Sequence, residues 1–125
     1  MATGVVTLER QAEHAAQLDA AHKRDLRRGD CVLVATRNSV YSICYLGDGE
    51  YSVSGGWFDR KGVSPQRIRI NGCTWGGRVI KCDIVAARGL FLEFENQVVT
   101  TRIQDFMIVR ADEGYSHSSP AQRPS

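Results

Sequence analysis

From Asp30 onward the sequence breaks into short apolar runs, cut every eight to twelve residues by glycine, asparagine or proline. A period of two between closely spaced turn residues commits such a chain to antiparallel strands joined by tight connections. Cys31–Arg37 is a continuous apolar run rich in β-branched residues and reads as a buried strand. Arg37-Asn38-Ser39 supplies a turn, because asparagine tolerates positive φ, and Val40–Leu46 returns with Tyr41, Ile43 and Tyr45 on one face. Gly47-Asp48-Gly49 is a second turn, after which Glu50–Ser54 places Tyr51 and Val53 together. These three runs form an antiparallel meander.

Beyond Gly55-Gly56 the pattern loosens, and Asp59–Gln66 reads as a polar loop. Arg67-Ile68-Arg69-Ile70 alternates strictly, so both isoleucines face inward and both arginines outward. Asn71-Gly72 is a favoured hairpin dipeptide, widened here by Cys73–Gly77. Arg78–Ile84 predicts a further strand. A turn at Ala86–Gly89 follows, and Leu90, Leu92 and Phe94 then alternate against Phe91, Glu93 and Glu95. Glu95-Asn96-Gln97 turns into Val98–Ile103, and Phe106–Arg110 is the last predicted strand.

Ahead of the strands, Leu8–Arg28 is rich in helix formers and ends in Lys23, Arg24, Arg27, Arg28 and Gly29, a helix-stop pattern. Its apolar stripe (Leu8, Ala12, Ala15, Leu26) is interrupted by Asp19 and His22, so an exposed or self-associating helix is expected. The tail after Asp112, with Gly114, serines and prolines, reads as disordered. The organisation expected is a tail and helix over 1–29, a β-barrel over 30–112 and a disordered segment over 113–125. So short a β-region favours a compact barrel of the SH3-like or OB-like kind over a sandwich. Thr100–Gln104 resembles the closing turn of SH3-like barrels.

Ordinary globular composition, 42% hydrophobic and 24% charged, argues against global disorder. No run approaches the roughly 20 apolar residues of a membrane span, and the N-terminus lacks a signal-peptide pattern, so a cytoplasmic protein is expected. Cys31, Cys44, Cys73 and Cys82 form no C-x-x-C pair and are expected as buried, reduced thiols, with no metal and no cofactor. Glu93 and Glu95 share a strand face but read as outward residues opposite Leu92 and Phe94. Cys73 lies in a glycine-bounded loop, yet His14, His22 and His117 fall in the helix or tail and leave it without a base. With no phosphate-binding, zincin or nucleophile-elbow motif, a non-enzymatic domain is expected.

Charge is uneven. Residues 57–88 hold seven of the sixteen Lys and Arg but only two of the fourteen acids, an excess of +5 that leaves −3 elsewhere. The same stretch carries Trp57, Phe58 and Trp75, each tryptophan beside a glycine pair. Flat rings stack on bases and cations pair with phosphates, so Trp57, Arg60, Lys61, Arg67, Arg69, Trp75 and Arg78, with Lys81 nearby, are the candidate ligand surface. Single-stranded nucleic acid is the expected ligand. The plainer reading has both indoles plugging the barrel ends, the arginines being a solvated face. Trp, Tyr and Arg also suit a protein interface, and the helix would suit a homo-oligomer.

Arg24-x-x-x-Arg28, just before the first strand, resembles the arginine pair of the PilZ family. That family's second motif, Asp or Asn followed by x-Ser-x-x-Gly, has its counterpart in Glu50-x-Ser52-x-x-Gly55, where glutamate replaces the shorter side chain. The resemblance implies a cyclic-dinucleotide sensor, a further alternative function.

Overall fold

The computed structural model describes residues 19–77 and 79–111. They form a mainly β body, a curled antiparallel half-barrel. The three expected meander strands are β2 (Cys31–Thr36), β3 (Val40–Gly47) and β4 (Glu50–Gly55). Their turns fall where the glycines and Asn38 require. Val32, Val34, Tyr41, Ile43, Tyr51 and Val53 line the core. β2 is buried on one face only, however, since Leu33 and Ala35 face outward among partly exposed residues.

The helix expected over Leu8–Arg28 is corrected where it can be seen. Ala20–His22 is a strand, β1, and Lys23–Asp25 a single 3-10 turn. Residues 8–18 lie outside the described residues, as does the tail expected over 113–125. Local helix propensity loses here to tertiary pairing. The small side chains of Ala20 and Ala21 let β1 lie against Ala87 and Ala86 of β7 (Ile84–Ala87), with Ala21 buried. The Lys23 N–H also donates to the Asp83 carbonyl.

Gly56–Arg60 forms a five-residue helix, α1, in place of the break expected at the glycine pair. Its Phe58, placed on the ligand face by sequence, is fully buried and meets Phe94 edge-on at 4.9 Å. The second correction concerns Asn71-Gly72, which makes no hairpin. β5 runs unbroken from Gln66 to Thr74, and the pair forms a bulge where the register shifts between Ile70 and Gly72. Gly72 has φ +139°, and a Cβ there would run into Lys81 and Cys82, so glycine is what permits the close approach.

This bulge lets one strand serve two neighbourhoods. Gln66–Arg69 pairs with β4, while Ile70–Thr74 pairs with β8 (Phe91–Phe94), and Cys73 and Thr74 pair also with β6 (Ile80–Lys81). The strand expected over Arg78–Ile84 is thus cut to β6, with a turn at Cys82-Asp83 before β7. Of the strand expected over Val98–Ile103, Val99 makes an isolated bridge with Glu93 and Ile103 opens β9 (Ile103–Val109), which returns along β2.

Three of the four cysteines, all expected as buried thiols, depart from expectation. Cys31 and Cys44 are opposite one another across β2 and β3, on the outer face, and form a disulfide. Cys73 is a buried thiol and Cys82 an exposed one. Among the described residues no helix is long and apolar enough to cross a membrane.

Candidate nucleic-acid interface

The residues singled out from sequence fall into separate places. Trp57 and Arg60 lie on α1 with Lys61 just beyond it, where the chain leaves β4. Trp57 is half-buried, edge-on to Phe58 at 5.1 Å, with the Lys61 ammonium 5.9 Å from its ring centroid. Its backbone N–H donates to the Tyr41 hydroxyl. This indole is mainly a packing residue. Arg67 and Arg69 do face outward on β5, but both meet Glu50, at 3.4 and 3.9 Å. Arg78 lies outside the described residues.

Trp75 is different. It follows the last residue of β5 and is 59% exposed, with the Lys81 ammonium 4.9 Å from its ring centroid. Trp57 lies beyond β4, whose Val53 pairs with Gln66 at the start of β5, whereas Trp75 follows Thr74 at its other end. At about 3.3 Å per residue, roughly 25–30 Å of strand separates those ends before the bend is allowed for.

Next to Trp75 the register supplies partners that no linear pattern revealed. Thr74 is opposite Phe91, and a Cβ on Gly76 would sit 3.3 Å from the Phe91 ring, so a side chain there would press on that ring. Above Phe91 lies Arg102, its guanidinium carbon 4.9 Å from the centroid and its Nη1 donating to the Gly89 carbonyl. The result is two ring–cation pairs near the end of β5, Lys81 with Trp75 and Arg102 with Phe91, drawn from β6, the turn after β5, β8 and the approach to β9. Both cations are exposed. Arg88 lies over Phe106 at 4.7 Å and holds Asp105 at 2.8 Å. A cation over a ring face contributes about 0.5–1 kcal/mol at exposed sites, which positions the side chain without fixing it.

The acid and thiol candidates have structural partners. Glu93 accepts from the Asn71 side chain at 2.8 Å, and Glu95 from the Arg69 N–H at 3.3 Å. Cys73 lies inside β5 instead of a loop, and burial pushes its thiol up to about 12, so it stays protonated near neutral pH. Among the described residues no group of three His, Cys, Asp or Glu is arranged to hold a metal ion.

The arginine pair ahead of β2 is divided. Arg24 reaches Asp83 at 3.2 Å, and the same carboxylate accepts from His22. The hydrogen bond from His22 is the main reason the Asp83 carboxyl is held below its usual range. Arg28 instead lays its guanidinium over Gly47, in the turn that leads to Glu50. Comparison with protein-family models, curated proteins and solved structures gave no match.

Proposed function

We propose that this domain binds unpaired nucleic acid around Trp75, at the end of β5. The carrying observation is an exposed indole at the end of β5 under a solvent-accessible cation, with a second ring–cation pair, Phe91 and Arg102, on the neighbouring strand and its approach. Rings of this kind stack on bases of any sequence, and the cations can move to the phosphates that follow. The finer reading of the fold, an SH3-like or OB-like barrel, agrees with this. It is supported by the meander, by β5 changing partners at its bulge, and by the short segment before β9. Small barrels of those kinds carry ligands on a sheet face and its flanking loops.

Trp75→Ala is expected to weaken binding of a short oligouridylate by roughly five- to 150-fold, the range for loss of one stacking platform. Its thermal midpoint should stay where it is, because a residue this exposed carries little of the core. Affinity by fluorescence anisotropy and stability by melting, measured together, decide the matter. Unchanged affinity, or loss of the fold, would remove Trp75 from the site.

A second reading has one observation behind it. Arg28 lies against Gly47, which brings one half of the PilZ-like pattern beside Glu50-x-Ser52-x-x-Gly55. Opposing it, Arg24 is engaged by Asp83, and Glu50 by Arg67 and Arg69. A calorimetric titration with cyclic diguanylate tests this reading. Saturable heat lost on Arg28→Ala supports it, and absence of heat at millimolar ligand ends it.

A further inference from the structure

Independently of the nucleic-acid reading, we infer that residues 8–18 dock as an amphipathic helix on the outer face of β9, β2 and β3, so that β2 is covered on both sides. The run Cys31–Ala35 has no outward polar alternation, which is the pattern of a strand buried on two faces. The described residues bury only one of them. Residues directly opposite across an antiparallel pair share a face, and the register therefore assembles the other. Leu33 has Met107 opposite it on β9, and the Cys31–Cys44 disulfide has Val109 beside it. Val40, opposite Ala35, closes the patch at its far end. Val40 is 60% exposed, Met107 51% and Val109 38%. On β4 the same face turns polar at Ser52 and Ser54.

The size of the patch decides what covers it. Three strands about 4.8 Å apart, taken from Cys31 to Ala35 at about 3.4 Å per residue, span roughly 14 Å each way, near 200 Å². A second copy making a standard interface needs about 800 Å² from each partner, whereas a single helix about 10 Å wide fits. The segment ahead of Asp19 carries such a helix in its sequence. Leu8, Ala12, Ala15 and Leu18 recur at spacings of four, three and three, with Glu9, Arg10, Glu13 and Gln17 on the other side. From Leu8 to Leu18 a helix rises about 16 Å, the length of the patch. The polar residues that break a longer stripe lie past its end, Asp19 in a bend and His22 in β1. The segment also ends in the right place. Ala20 is opposite Ala87, the adjoining Arg88 holds Asp105 at 2.8 Å, and Asp105 is opposite Ala35 at the rim of the patch. The chain beyond Ala111 offers serines and prolines with no apolar repeat, so it does not compete for this face.

The test is hydrogen exchange on the full chain, read by mass spectrometry. An isolated helix of this length is marginal in water, so protection of its amides reports docking. Amides of 8–18 should exchange at least about tenfold more slowly than an unstructured reference. Val40→Lys with Met107→Lys, both exposed positions, should return them to the reference rate while the amides of β3 and β4 keep theirs. Ala15→Glu should give the same loss from the segment's side, and it decides the matter should the lysines disturb the sheet. Absence of protection in the wild-type chain would overturn the inference, and so would protection that survives these substitutions. Protection that rises with protein concentration, together with a dimer in sedimentation, would overturn it too and give the face to a second copy.

Discussion

Phe58→Ala is expected to destabilise the fold by about 3–5 kcal/mol, the range for emptying a buried aromatic site. Phe58 is 0% exposed and touches three rings, Phe94 at 4.9 Å, Trp57 at 5.1 Å and Tyr41 at 6.4 Å between centroids. Three of the four pairs these rings make with it or through it are edge-on, an arrangement that adds to simple burial. α1 has only five residues and cannot persist by its own hydrogen bonds. Phe58 is its anchor. Truncation should therefore lower the denaturant midpoint and also expose Trp57, read as a red shift of its emission in Trp75→Phe protein. A loss below about 1 kcal/mol, the cost of an ordinary substitution, would mean that α1 is not docked through this ring.

The second large effect is expected at Asp30. Its carboxylate is 3% exposed and accepts hydrogen bonds from the Arg27 N–H at 2.9 Å, the Ala111 N–H at 2.9 Å and Arg110 Nη1 at 2.8 Å. It thereby joins the segment before β2 to the end of β9. Burial alone would push its pKa up, but the three donors outweigh that and hold it below the usual carboxylate value. A group depressed in this way contributes stability that is fully present above its unfolded value, about 3.9, and is lost as pH falls through the folded one. Asp30→Ala should cost about 3 kcal/mol at pH 7, since hydrogen bonds to a charged group contribute about 1.5–3 kcal/mol each but Arg110 can turn to water. The gap between wild type and variant should narrow below pH 4. Urea midpoints of both proteins at pH 7 and pH 3 measure it, and a gap independent of pH would contradict the role assigned to the charge.

The meander was legible because each strand carries its own alternation and each turn its own glycine or asparagine. The same local logic failed at Asn71-Gly72, whose dipeptide suits a hairpin equally well as a bulge. Which one forms depends on Phe94 and Glu93, more than twenty residues away, and on Lys81 approaching Gly72. Ala20–His22 misled for a related reason, since alanine favours a helix locally but here fits against Ala86 and Ala87 of β7. The disulfide leaves no mark in cysteine spacing, because only the register across the Asn38 turn sets Cys31 opposite Cys44. At the candidate site, Trp75 and Lys81 could be seen in the sequence as an aromatic and basic stretch. Phe91 and Arg102 could not, because only the pairing of β5 with β8 sets Phe91, with Arg102 over it, opposite Thr74 at the end of β5.

The proposed surface is tested most directly by the salt dependence of oligouridylate binding. Two phosphate contacts on a single strand give a slope of log K against log salt near −1.4, at about 0.7 for each. The account predicts that slope for the wild-type chain, and a slope close to zero once Lys81→Met and Arg102→Met are combined. A steep slope that survives both substitutions, or binding indifferent to salt from the outset as a peptide contact would be, would contradict it.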